Sequence, residues 1–183
     1  MVTVQTLPYR QVLEQLNHPG IPPVFLEFQE ELTLTRILFV CLGNICRSPM
    51  AACVMTKLVQ DAGLQDAFVI DSAATSAEEL GNPIYPPARK KLQDEGIPLL
   101  PHAARQMQMA DYKKYDLIIG MDRNNIKNME RLCGGDPEGK IHLLLDYAGR
   151  PGEEVADPWY TRNFDAAWND IDAGCRGLLR ALT

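Results

Sequence analysis

The sequence predicts an α/β fold: a three-layer, doubly wound sheet of four parallel strands with helices on both faces. Short apolar runs alternate along the chain with stretches of helical periodicity. Each run is apolar at successive positions, as a strand covered on both faces must be. Glycine, proline and small polar residues mark the joins. Strands separated by helices pair in parallel, because each return to the sheet needs a long crossover.

Ile37-Leu38-Phe39-Val40 reads as the first buried strand and runs into a glycine-containing turn. Ser48-Pro49 then opens a helix, with Ser48 as N-cap and Pro49 at the first helical position. Its apolar stripe is Ala51, Val54, Met55, Leu58, Val59 and Ala62, and Gly63 stops it. Phe68-Val69-Ile70 is the second strand, and residues 87–95 form a short helix closed by Gly96. Leu117-Ile118-Ile119 is the third strand, followed by a helix over 123–132. Residues 141–145 make the fourth strand. The last helix carries Phe164, Ala167, Trp168, Ile171, Cys175, Leu178, Leu179 and Leu182 on one face. Folds of this kind bind ligands beyond the carboxyl ends of their strands, which directs attention to the first strand-to-helix turn.

Composition narrows the function classes. A chain of 183 residues, 46% apolar and 23% charged, has the make-up of one ordinary globular domain. Its formal net charge of -6 argues against a nucleic-acid binder. No apolar run approaches the roughly 20 residues of a membrane span. The first residues lack the marks of a secretory signal, and their acids with a lone Arg10 suit a transit peptide poorly. A cytoplasmic protein without a membrane partner is the expectation. Five cysteines at irregular spacing read as reduced thiols, with Cys53 and Cys175 on apolar helix stripes. His18, His102 and His142 form no metal-ligand spacing with them, so no metal site is expected.

The first turn reads Cys41-Leu42-Gly43-Asn44-Ile45-Cys46-Arg47-Ser48-Pro49. Its main-chain N–H groups converge at a helix N-terminus, where an anion is favoured. Gly43 can take the positive φ that curls such a nest, and Asn44 tolerates the left-handed region. Arg47 can present parallel donors to two phosphate oxygens. Cys41 would lie beneath the ring of N–H groups, an environment that favours thiolate over thiol and makes a ready nucleophile.

This turn and several later stretches resemble the low-molecular-weight protein tyrosine phosphatase family. The match runs from Ile37 to Pro49 almost residue for residue. It continues through Asp71-Ser72-Ala73-Ala74-Thr75-Ser76, Gly81-Asn82-Pro83, Gly96-Ile97-Pro98, His102, Ala104-Arg105-Gln106, Met121-Asp122 and Asp157-Pro158. The resemblance implies strand order 2-1-3-4, no cofactor, and hydrolysis of phosphotyrosine or another aryl phosphate through a phosphocysteine on Cys41. It implies that Arg47 and the amides of Leu42, Gly43, Asn44, Ile45 and Cys46 hold the phosphate, and that Asp157 serves as general acid and base. Ser48 is expected to hydrogen-bond the Cys41 sulfur, and Asn44, Ser72 and His102 to hold the loop in a strained shape. In the family the cysteine corresponding to Cys46 can form a disulfide with the nucleophile. Trp159 and Tyr160 would wall the cleft on one side and Glu78 on the other, where an aromatic is often found. Arsenate reductases on this scaffold need a downstream cysteine pair that is missing here, and phosphoarginine phosphatases prefer Thr where this chain has Ile45.

The phosphatase domain is expected over 36–183. Residues 1–35 read as an N-terminal extension, with a short helix at Tyr9–Leu16, a breaker at His18–Pro23 and an edge strand or docking segment at Val24–Phe28. The sequence leaves oligomeric state open.

Overall fold

The computed structural model of the chain describes Leu34–Thr183. The helix, breaker and docking segment expected in the extension lie outside the described residues. Four parallel strands, β1 (Thr35–Cys41), β2 (Phe68–Ala74), β3 (Leu117–Gly120) and β4 (Ile141–Leu143), form one sheet in the order β2-β1-β3-β4. The predicted fold class is therefore the observed one. The helices are α1 (Arg47–Asp61), α2 (Pro86–Asp94), α3 (Met109–Lys114), α4 (Arg123–Cys133), α5 (Pro158–Thr161) and α6 (Phe164–Leu182).

β1 shows why its apolar run is continuous. Ile37, Phe39 and Cys41 face the core shared with α1, α2 and α6, while Leu38 and Val40 face the core shared with α3 and α4. Side chains alternate across a strand, so a central strand of a three-layer fold must be apolar at every position. β1 is bordered by β2 on one side and β3 on the other, so the turn after Cys41 sits where the chain changes direction across the sheet.

Three local expectations are corrected. The fourth strand ends at Leu143 rather than Leu145, and Leu144–Ala148 form a 3₁₀ turn. β4 pairs only with β3, whose last residue Gly120 lies opposite Leu143, so residues beyond have no strand to bond. Ser48 is not an N-cap. α1 begins at Arg47 with Cys46 in the capping position and no side-chain cap, because the Ser48 hydroxyl is drawn inward to the Cys41 sulfur. β2 runs on to Ala74 through the polar Asp71-Ser72, since β1 offers it a full seven-residue partner. The short helices α3 and α5, of six and four residues, carry too few turns for a periodic stripe.

The last helix packs closely on the 3₁₀ turn because two of its residues lack side chains. A Cβ at Gly174 would lie 2.5 Å from Leu144 Cγ, and one at Gly177 would run into the Tyr147 carbonyl oxygen. Alanine favours a helix over glycine by about 1 kcal/mol, whereas overpacking against backbone costs about 1–3 kcal/mol. Gly177→Ala should therefore lower the thermal midpoint by several degrees in a circular dichroism melt, despite its better helix propensity. An unchanged or raised midpoint would refute this account of the contact.

Candidate active site

At the carboxyl end of β1 the chain enters a tight loop over residues 42–46 and passes directly into α1. The curl depends on Asn44, whose φ is +57°. This corrects the expectation that Gly43 would take the positive φ: Gly43 is absent from the left-handed region. Glycine there leaves room for Glu79, whose Cγ a Cβ would approach to 3.2 Å, a tight contact. A non-glycine residue in the left-handed region costs about 1–2 kcal/mol, and asparagine is among the few that tolerate it.

All the polar groups of Asn44 are engaged. Its Nδ2 donates to Ser48 Oγ and Ser72 Oγ, each at 2.9 Å. Its Oδ1 accepts from the Arg105 amide at 3.1 Å. His102 Nε2–H donates to its carbonyl at 2.7 Å, and its own amide donates to Cys41 Sγ at 3.3 Å. Burial, opposed by the bond to Asn44 and by Asp71, holds His102 below the usual imidazole range. A neutral ring is thereby favoured, with its one proton on the nitrogen that faces the carbonyl.

Cys41 is 3% exposed, and its Sγ lies 3.1 Å from Ser48 Oγ. Ser48 Oγ accepts from Asn44, and its own single proton faces two acceptors, the sulfur at 3.1 Å and the Ala73 carbonyl at 3.3 Å. Arg47, in the first turn of α1, is 2% exposed. Its Nη1 donates to Asp122 Oδ2 at 2.7 Å and to the Val155 carbonyl at 2.9 Å, and its Nη2 donates to Asp157 Oδ2 at 2.5 Å. Burial alone would weaken its charge, but the negative groups at Cys41, Asp157 and Asp122 more than offset that and raise its pKa. Asp157 also caps α5 through Oδ1, which accepts from the Trp159 amide at 3.0 Å. It is thus both a helix cap and a cleft residue.

Cys41, Leu42, Gly43, Ile45, Cys46 and Arg47 line one cavity of about 160 Å³. Its walls are Glu78 and Glu79 on one side and Asp157, Trp159 and Tyr160 on the other. Asn44, within the loop, and Ser48, Ser72 and His102, which hydrogen-bond it, do not line the cavity. Every site residue expected from the sequence thus falls either on the cleft or in the network supporting it. Trp159 and Tyr160 are 38% and 72% exposed, so they are not core residues. Trp159 packs edge-on against Tyr85 with ring centroids 5.0 Å apart, and the Arg162 guanidinium lies 5.5 Å from its ring.

Sequence reasoning missed Asp122, Glu79 and Arg105 as participants. Asp122 had a signal: an acidic residue just beyond β3, in N-cap position for α4, lies at the ligand-binding edge of a parallel sheet. It caps α4 with Oδ1 and grips Arg47 with Oδ2. Glu79 follows Glu78 and is tied by Asn82 at 2.7 Å, a contact set by the turn alone. Among the described residues, no cluster of three or more His, Cys, Asp or Glu is arranged to hold a metal.

Comparison with known proteins agrees with this geometry. A sequence profile described as "Low molecular weight phosphotyrosine protein phosphatase" matches residues 36–183. The low molecular weight protein-tyrosine-phosphatase YfkJ of Bacillus subtilis is 38% identical, over 80% of this chain and 94% of its own. Its crystal structure superposes with a TM-score of 0.79, covering 81% of this chain and 94% of that one. The Homo sapiens low molecular weight phosphotyrosine protein phosphatase is 37% identical over 78% of this chain and 92% of its own. A Drosophila arginine phosphatase shares 30% identity with a TM-score of 0.73, covering 80% of this chain and 97% of that one. With the profile spanning residues 36–183 and these relatives covering most of both chains, the chain belongs to the low molecular weight protein-tyrosine-phosphatase family.

Proposed function

We propose that the protein hydrolyses phosphotyrosine and related aryl phosphomonoesters through a phosphocysteine on Cys41. The observation that carries this reading is the convergence of the Cys41 sulfur, the Arg47 guanidinium and the Asp157 carboxyl on one small cleft. In the first step the sulfur attacks phosphorus, the bond from phosphorus to the phenolic oxygen breaks, and Asp157 delivers a proton to that oxygen. In the second, Asp157 as carboxylate takes a proton from water, whose oxygen displaces the sulfur and releases inorganic phosphate. Arg47 and the loop amides stabilise the equatorial oxygens in both steps. Ser48 Oγ and the Asn44 amide, both aimed at Sγ, stabilise the sulfur as attacking and as leaving group.

Ile45, on the cleft lining, presents an apolar surface suited to an aromatic ring, and Tyr160 offers a facing one. Tyrosine phosphate is therefore favoured over phosphoarginine. Glu78 and Glu79 place negative charge along the opposite rim, which disfavours acidic segments beside the phosphorylated residue. Residues 36–183 constitute the phosphatase domain in this reading, and residues 1–35 an extension to it.

All five cysteines are free, and none of the described helices is long and apolar enough to cross a membrane. Both facts suit a reducing cytoplasmic setting. Cys46 shares the cleft with Cys41, and its thiol is pushed up to about 12, first by burial and then by the negative charges at Cys41 and Asp157. It stays protonated while Cys41 reacts. We assign it the resolving role: peroxide oxidises Cys41 to the sulfenic acid, and Cys46 condenses with that to give a disulfide and water.

Cys41→Ser should abolish hydrolysis of p-nitrophenyl phosphate while leaving binding of inorganic phosphate and the fold intact. Asp157→Asn should lower kcat by about 10²–10³-fold on phenyl phosphate but much less on p-nitrophenyl phosphate, whose leaving group needs less protonation. Retained turnover in the first variant, or equal losses on both esters in the second, would overturn these assignments, and a phosphoarginine assay in parallel tests the alternative substrate. Glu78→Lys should improve kcat/KM on an acidic phosphotyrosyl peptide about three- to five-fold at low salt, an advantage that fades as salt screens the rim. An unchanged ratio between acidic and neutral peptides would remove Glu78 from the specificity argument. Cys46→Ala should convert reversible peroxide inactivation into loss that thiol reductants do not restore; full recovery would exclude the resolving role.

A further inference from the structure

We propose that Arg105 is a positioning residue: anchored outside the cleft by two carboxylates, it presents its own amide to Asn44 and so sets the direction of the hydrogen bonds that end on the Cys41 sulfur. The proposal rests on the reading of Cys41 as nucleophile. Arg105 does not line the cleft. Its Nη2 lies 3.0 Å from Asp71 Oδ2 on β2, and its Nη1 lies 2.9 Å from Asp111 Oδ2 in the first turn of α3. Tyr115 Oη donates to the same Asp71 oxygen at 2.8 Å, while Asp71 Oδ1 accepts from the Ser72 amide at 2.7 Å. One carboxylate therefore joins Arg105 to Ser72, which is itself a partner of Asn44.

The main chain of Arg105 completes the arrangement. Its carbonyl accepts from Ala74 at 2.8 Å, and its amide donates to Asn44 Oδ1 at 3.1 Å. Among the side-chain partners of Asn44, the Ser48 and Ser72 hydroxyls can each donate or accept. Only the Arg105 N–H is a donor and nothing else. It alone dictates that the oxygen of the Asn44 carboxamide faces Arg105 and that the NH₂ faces the two serines. Reversed, the carboxamide would offer Ser48 an acceptor, and the serine proton would turn from the sulfur to Asn44. With a thiolate at Cys41 the ordered chain runs from Arg105 N–H to Asn44, from Asn44 Nδ2 to Ser48 Oγ, and from Ser48 Oγ–H to Cys41 Sγ, which at 3.1 Å is a nearer and more charged acceptor than the Ala73 carbonyl at 3.3 Å. Successive hydrogen bonds of one direction reinforce one another.

The test is a double-mutant cycle on the full chain, with two readouts. Arg105→Met should lower kcat on p-nitrophenyl phosphate about five- to ten-fold with KM changed less than two-fold. It should also move the pH profile of Cys41 alkylation by iodoacetate to higher pH. Arg105→Lys, keeping a charge for one carboxylate, should recover part of both effects. In an Asn44→Ala background the Arg105→Met change should add less than two-fold, because the link it acts through is gone. Full additivity in that background, or an unmoved alkylation profile, would overturn the proposal. Should Arg105→Met fail to fold by circular dichroism, Asp111→Asn, which cuts one anchor only, carries the same cycle and the same criteria. Failure of the parent protein to turn over p-nitrophenyl phosphate would instead defeat the hydrolase reading, which the alkylation profile does not presuppose.

Discussion

The left-handed conformation of Asn44 is the constraint on which the site depends. One residue at φ +57° turns the chain so that β1 ends and α1 begins around a cavity, with the Asn44 amide directed at the Cys41 sulfur. An isolated chain would relax from that conformation. Here a histidine, two serines and a main-chain amide hold it, and they come from α1, from β2 and from the segment that follows α2. The strain is local, and the support is assembled from residues up to 61 positions away. Such a loop exists only when the whole sheet is in place, so binding geometry and fold integrity are coupled.

Among the residues lining the cleft, positive charge is carried by Arg47 alone, while the walls keep the acidic character of the molecule as a whole. A chain of net charge -6 concentrates one buried guanidinium and a set of amide dipoles at the end of β1. Arg47 cannot be buried alone at acceptable cost, and Asp122 and Asp157 on either side share its charge. The two carboxylates differ in what else they do. Asp122 is tied into the cap of α4 and stays with the scaffold, whereas Asp157 caps a helix of only four residues at the cleft wall. That difference suits Asp122 to steady Arg47, and it supports the proposed role of Asp157 as the proton donor and acceptor. The outer rim carries Glu78 and Glu79, which in the proposed reading bear on the residues beside the phosphorylated one.

The packing behind the site serves the same end. α1 is buried on all sides through its first nine residues, Arg47 to Met55, because the loop, the sheet and α6 enclose it. On another part of its surface α6 lies close against the 3₁₀ turn, an approach that Gly174 and Gly177 allow. Cys53 and Cys175 are ordinary core residues of this layer, buried and pushed up in pKa by desolvation. Cys175 Sγ lies 3.6 Å from the Ala51 carbonyl, which brings α6 against α1.

The sequence by itself determined the strands, the long helices and the residues of the loop, because each is written in local pattern. Four apolar runs, amphipathic stripes of two or more turns and the Cys41-to-Pro49 turn all lie within short windows. Ile45 and Tyr160 were recognisable as cleft residues from the motifs around them. Tertiary structure alone decided which groups those motifs would meet. Ser48 has the sequence look of a helix cap, yet its hydroxyl turns inward, to the sulfur, the Ala73 carbonyl and Asn44. Gly43 has the look of the flexible residue, yet Asn44 takes the left-handed turn because distant partners hold it there. The fourth strand stops at Leu143 because its neighbour has ended, and the grips of Asp122 and Arg105 span 75 and 61 residues. Local periodicity reports which face of an element is apolar; it carries no record of what long-range closure of the chain will bring against that face.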